Sequence, residues 1–167
     1  KNPTVYLYNY YGKDDRFQMA DSARLNDKTE GVFKGNNKLH GGIYILVSDR
    51  RARLLDLLME DDQQFSISVD TAHLDKAVIT GSKENTLYQE YARFLGGVGP
   101  KLHALTQQFA SAKTKDDSTA IQKQIVAANK EMQDYRENII RTYPESMLAS
   151  LFNTMKKPEA PKELPLK

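Results

Sequence analysis

The chain has 167 residues, with 24 lysines and arginines against 22 aspartates and glutamates, for a formal charge of +2. That near-balance excludes the strong field by which nucleic acids or acidic membranes are attracted. There is no cysteine, so disulfides, thiolate chemistry and cysteine-held metals are excluded from these residues.

This length suits one domain, or one domain with a helical annex, and suffices to bury a core. No stretch reaches the roughly 18 consecutive apolar residues of a bilayer-spanning helix. The chain opens at Lys1 with no signal-like apolar segment, as expected of a mature or excised form.

The first half reads as sheet. Residues 4–11, TVYLYNYY, are dense in β-branched and aromatic side chains. Further strands are expected at 17–19, 23–26, 31–34 and 42–47. Residues 51–60, RARLLDLLME, hold helix formers but sit between two strand signals with little room to turn, and are expected as strand. In QFSISVD, Phe65, Ile67 and Val69 alternate with Ser66 and Ser68, the pattern of a half-buried antiparallel strand. KAVITG closes the set. Turn signals stand at 11–13, 26–28 and 35–37. The expected fold class is α+β, with six to eight short antiparallel strands in a sandwich or open barrel over residues 1–81.

The second half, 82–156, reads as helix. Leu87, Tyr91, Phe94, Val98, Leu102, Leu105 and Phe109 fall three and four apart on one stripe. A polar break at 113–118 turns the chain. A second stripe then runs through Ile121, Ile125, Ala128, Met132, Tyr135 and Ile139, predicting a helical hairpin. Thr142 and Glu145 have capping-box spacing around Pro144, so a short third helix is expected to hold Met147, Leu148, Leu151, Phe152 and Met155. Residues 157–167 hold three of the six prolines and read as a Pro/Lys-rich linker to a further domain.

No catalytic constellation stands out. The GGVGP at 96–100 follows a helix and lacks the Gly-Lys-Ser/Thr ending of a phosphate loop, so a helix kink is the expectation. His40, His73 and His103 lack a second ligand at close spacing, so no metal or other cofactor is expected. The acidic pairs at 14–15, 61–62 and 116–117 fit turn chemistry. Ser22 has no base near it in sequence and no nucleophile elbow surrounds it. Tyr6, Tyr8 and Tyr10 form a candidate binding surface.

Several short motifs stand one after another along the chain. They are Val5-Tyr6-Leu7, Asp21-Ser22-Ala23, Gly31-Val32-Phe33-Lys34-Gly35, Gly42-Ile43-Tyr44, a strand ending in Asp70, and Gly81-Ser82-Lys83-Glu84-Asn85. Over about residues 4–95 this order resembles a β domain of unknown function found at the front of envelope proteins in Gram-negative bacteria. The helical remainder looks like the linker region that often follows it. The resemblance implies a periplasmic or outer-envelope location, and a downstream thioredoxin-like domain of the same polypeptide as partner. Such proteins pass as thiol–disulfide interchange proteins, often lipoproteins. Any redox centre then lies beyond Lys167, any lipid anchor outside this segment, and no catalytic residue here.

The physical reading of those residues is structural. Gly31, Gly35 and Gly42 suit strand-edge turns. Asp21 and Asp70 are expected at strand ends as acceptors for backbone N–H groups. Ser82 suits a helix N-cap with Glu84 in the first turn, and Asn85 is expected to bind the strand exit or a partner. Two functions follow. The favoured one is a non-catalytic accessory module that positions the redox domain, dimerises or holds a protein client. The alternative is a stand-alone binding protein whose Tyr-rich strand and Arg50, Arg51 and Arg53 frame an anionic or sugar ligand.

Overall fold

The computed structural model describes residues 3–11, 16–61 and 63–155. The expected turn at 11–13 and linker at 157–167 lie outside the described residues, except for Tyr11. The chain is α+β: antiparallel sheets first, then helices. The strands are β1 (Thr4–Tyr11), β2 (Arg16–Arg24), β3 (Gly42–Val47), β4 (Arg53–Met59), β5 (Ser66–Asp70) and β6 (His73–Thr80). The helices are α1 (Lys83–Ser111), α2 (Lys115–Thr142) and α3 (Met147–Met155).

Strands β1 to β4 form one sheet in the order β2-β1-β3-β4, and β5-β6 form a separate hairpin. A side chain on one pleat shares its face with the residue directly opposite. One face of the larger sheet carries Leu7, Tyr44, Leu46 and Leu57, all buried. The hairpin brings Ile79 into that cluster, with Phe65 and Ile67 packed against it, so the two sheets share a core. Each large apolar side chain removed from water there contributes on the order of 2 kcal/mol. The alternation expected of QFSISVD is present: Ile67 and Val69 are half-buried between exposed neighbours.

Two strand expectations change. The pieces at 17–19 and 23–26 are one strand, β2, carrying a register shift opposite Leu7 and Tyr8 that leaves Ala20 without a cross-strand partner. A bulge of this kind bends the strand without ending it. Asp21 therefore lies inside a strand, not at its end. The segment 31–34 is not a strand. Instead Phe33 and Leu39 tuck onto the core from an irregular crossing loop. Gln63 fastens that loop, accepting the Leu39 N–H at 2.8 Å and donating to the Leu39 carbonyl at 2.9 Å.

The described residues fall into two compact units, one ending at Gly97 and the other beginning at Val98. The opening turns of α1 are bonded to the strands and belong with the sheet unit. In the second unit, the break at 113–118 is shorter than expected. Thr114 caps α2 by accepting the Asp117 N–H at 3.1 Å, which starts the helix at Lys115. Helix α2 buries Ala128 and Ile139, two residues of the expected stripe. The predicted cap of α3 at Thr142 is corrected: Thr142 still belongs to α2. Ser146 takes the capping role, its Oγ accepting the Ala149 N–H at 3.0 Å. Leu148, Ala149 and Phe152 of α3 are buried, and the Arg136 guanidinium lies 5.7 Å from the Phe152 ring centroid.

Candidate functional site

The junction from β6 into α1 concentrates the polar chemistry of the sheet unit. Gly81 has φ +97, and a Cβ there would stand 3.1 Å from the Gln64 carbonyl oxygen, so the turn needs glycine. Ser82 then caps α1, its Oγ accepting the Asn85 N–H at 3.2 Å. Asn85 is fully buried. Its Oδ1 accepts the Leu58 N–H at 2.8 Å, and its Nδ2 donates to the Leu58 carbonyl at 2.8 Å and to Ser82 Oγ at 2.9 Å.

Leu58 belongs to β4, one of the two outer strands of the four-stranded sheet. The Asn85 amide therefore fills the place of a peptide group on a neighbouring strand. Every polar atom of that side chain is used within the fold. The sequence leads one to expect Asn85 on the strand exit or a partner; its side chain instead bonds the backbone of Leu58 inside β4 and so ties the start of α1 to that strand.

One turn further on, Tyr88 reaches the same strand. Its hydroxyl donates to Asp56 Oδ2 at 3.3 Å, and Arg53 forks onto both oxygens of the same carboxylate, with Nε at 2.6 Å from Oδ1. Burial foremost, and then the Asp56 charge, push the Tyr88 phenol up to about 12. The hydrogen bond to Asp56 holds the Arg53 guanidinium charged, raising it above its ordinary value. Arg53 is thus committed to Asp56. Arg50 and Arg51 are exposed in the β3–β4 turn, where Arg51 takes a left-handed φ of 61. The three arginines expected to frame an anion are therefore split between an internal ion pair and a solvated turn.

The remaining unabsorbed feature is aromatic. On β1, Tyr6, Tyr8 and Tyr10 share the face opposite the core residue Leu7. Tyr6 and Tyr8 are half-buried, their ring centroids 6.4 Å apart. The β1–β2 register sets Met19 across from Tyr8 and Phe17 across from Tyr10. The Tyr10 and Phe17 rings meet edge-on at 5.6 Å, which suits the ring quadrupoles. Yet Tyr10 is 41%, Phe17 49% and Met19 55% exposed. Three large apolar side chains thus lie together on one face of β1 and the outer strand β2. Phe17 and Met19 were not among the predicted binding residues. Their spacing of two, beside the tyrosine strand, is the signal that places them on its face.

The other predicted residues are dispersed. Asp21 Oδ1 accepts the Ser22 N–H at 2.7 Å, and Ser22 is exposed. Asp70 ends β5 and accepts the Ala72 N–H at 2.9 Å. Gly31 lies against Leu25, Gly35 lies in the crossing loop, and Gly42 opens β3. Tyr44 is buried and donates to the His40 carbonyl at 2.9 Å; burial raises its phenol above the ordinary value, against the hydrogen bond from Asn9. Among the described residues no cluster of three or more metal-ligating side chains occurs. No described helix is long and apolar enough to cross a membrane. In the second unit, an open recess beside the α1–α2 turn is floored by Ala112, Ala120 and Ile121. No family model matches the chain, and neither does any curated protein or solved structure.

Proposed function

We propose that this chain is a non-catalytic interaction module that presents the aromatic end of its four-stranded sheet to a protein client. Its place is the front of an exported thioredoxin-like oxidoreductase, as the order of its sequence motifs suggests, with the redox domain following in the same polypeptide. A periplasmic or outer-envelope location belongs to the same proposal.

The observation that supports the interaction reading is the exposed trio Tyr10, Phe17 and Met19. Apolar side chains of this size are normally withdrawn from water, and a contiguous exposed patch marks a surface that another molecule covers. The polar residues that the motifs single out are meanwhile spent on the fold, as the Asn85 and Asp70 bonds illustrate. The alternative, a binding site for an anion on the arginines, would require Arg53 to leave Asp56.

The test begins with the coding sequence around the segment. A Cys-x-x-Cys within a βαβ pattern beyond Lys167 and a signal sequence ahead of Lys1 are expected. The full protein would then be assayed for reduction of a disulfide-bearing client, with and without the double substitution Phe17→Ser and Met19→Ser. A lower rate on the protein client, with an unchanged rate on a small disulfide, is the expected result. A stop codon directly after Lys167 would overturn the oxidoreductase context, and equal client rates would overturn the interaction surface.

A further inference from the structure

The patch lies beside a free sheet edge, and the two together specify the shape of the client. Strand β2 ends the order β2-β1-β3-β4, so one side of its backbone has no strand partner among the described residues. Residues 17–20 are exposed along it. An outer strand with unpaired N–H and C=O groups is a template for a further strand, and apolar neighbours on one face give the added strand its side-chain register.

The edge is not uniformly open. The Leu25 N–H is bonded to the Pro3 carbonyl at 2.9 Å, so in this register Ser22 turns its N–H outward. Asp21 covers that outward N–H at 2.7 Å. The bulge at Ala20 also interrupts the ladder just before it. Strand addition is thereby confined to the half that contains Phe17 and Met19. Beyond the closed stretch stands Arg24, exposed and without an acidic partner among the described residues. It lies at the same end of the sheet as Arg50 and Arg51 in the β3–β4 turn.

Area decides between a second copy of this chain and a peptide. Side chains of this kind each present roughly 200 Å² when free, so the three exposures leave about 300 Å² of open apolar surface. A stable dimer takes about 800 Å² from each partner. The patch falls well short of that, but matches a few alternating side chains of one extended strand.

We propose that the Phe17–Ala20 edge of β2 accepts an extended polypeptide segment by antiparallel strand addition. Apolar residues at alternate positions of that segment lie on Phe17, Met19 and Tyr10, and an acidic stretch toward its N-terminus meets Arg24. This deepens the interaction reading above and rests on it. The occupant is an incompletely folded chain, since a folded protein keeps such alternating segments in its own sheets.

The experiment titrates the full 167-residue chain into a fluorescein-labelled peptide, Asp-Asp-Gly-Thr-Val-Thr-Val-Thr, and reads anisotropy. Binding in the micromolar range is expected. Phe17→Ser with Met19→Ser should weaken it at least tenfold, with the far-ultraviolet circular dichroism and melting midpoint unchanged. Arg24→Glu should weaken it severalfold and shift preference to the same peptide with two lysines in front. A peptide of the same composition with its valines adjacent should bind at least fivefold more weakly. Equal binding by the wild type and the double variant would overturn the proposal, as would indifference to the valine order. A wild-type dimer that the double variant abolishes would instead assign the edge to a second copy. If no peptide binds while the double variant still loses client reduction, the interaction reading stands and strand addition falls.

Discussion

The four-stranded sheet has two outer strands, and the molecule treats them in opposite ways. The outer side of β4 is closed at Leu58 by one buried side chain: Asn85 satisfies both the N–H and the carbonyl of that residue. The outer side of β2 has exposed Phe17 and Met19 beside it, and Asp21 is folded over one donor. Exposed strand edges invite unwanted pairing, and folds usually blunt all of them. Sealing one edge with a side chain while leaving apolar residues beside the other separates a position committed to stability from one available for contact. The same contrast explains why the residues most prominent in the motifs are not the residues of the candidate surface.

That contrast can be broken from the sealed side first. Asn85→Ala should cost about 3 kcal/mol or more, since it strands two buried backbone groups on Leu58 and removes a contact to Ser82. A lower urea midpoint at unchanged slope would register it. Gly81→Ala should cost about 2 kcal/mol, because alanine must adopt φ +97 and crowd the Gln64 carbonyl; the same denaturation series measures it. Tyr88→Phe acts through pH. The folded chain holds the Tyr88 proton to about 12, against an ordinary value of 10.0. The contribution is therefore complete below pH 10 and is lost as pH rises toward 12. Melting midpoints recorded across that window should fall more steeply for the wild type than for the phenylalanine variant. On the open side, Phe17→Ser with Met19→Ser should leave stability within about 0.5 kcal/mol, as exposed substitutions do. A loss as large as that of Asn85→Ala would show that these side chains serve the fold and not a partner.

Local chemistry made most of the elements legible. The β-branched and aromatic run of β1, the alternation of β5 and the stripes of α1 and α2 each announce a period, and burial follows it at Leu7, Ile67 and Ile139. The errors came where a neighbour decides. Val32 and Phe33 have strand-forming side chains, but Phe33 packs onto the core from an irregular crossing loop. Thr142 and Glu145 have the spacing of a cap, yet α2 keeps Thr142 and Ser146 starts the next helix. Asn85 is expected to bind the strand exit or a partner, whereas its actual partner Leu58 lies 27 residues earlier, beyond the reach of any local pattern. Phe17 and Met19 read as ordinary strand residues. Exposure is a property of the assembled sheet, and no local pattern shows which face of an outer strand will be left uncovered.

The Asn85 bond also imposes an order in time. Strands are made before the helix, and Leu58 precedes the residue that seals it by 27 positions. At synthesis rates of about 5–20 residues per second, the outer side of β4 waits roughly one to five seconds before its cover leaves the ribosome. During that interval the nascent sheet has two open sides instead of one. A chain interrupted after Thr80 and before Asn85 would emerge with all six strands and a lasting vulnerability to pairing with its neighbours.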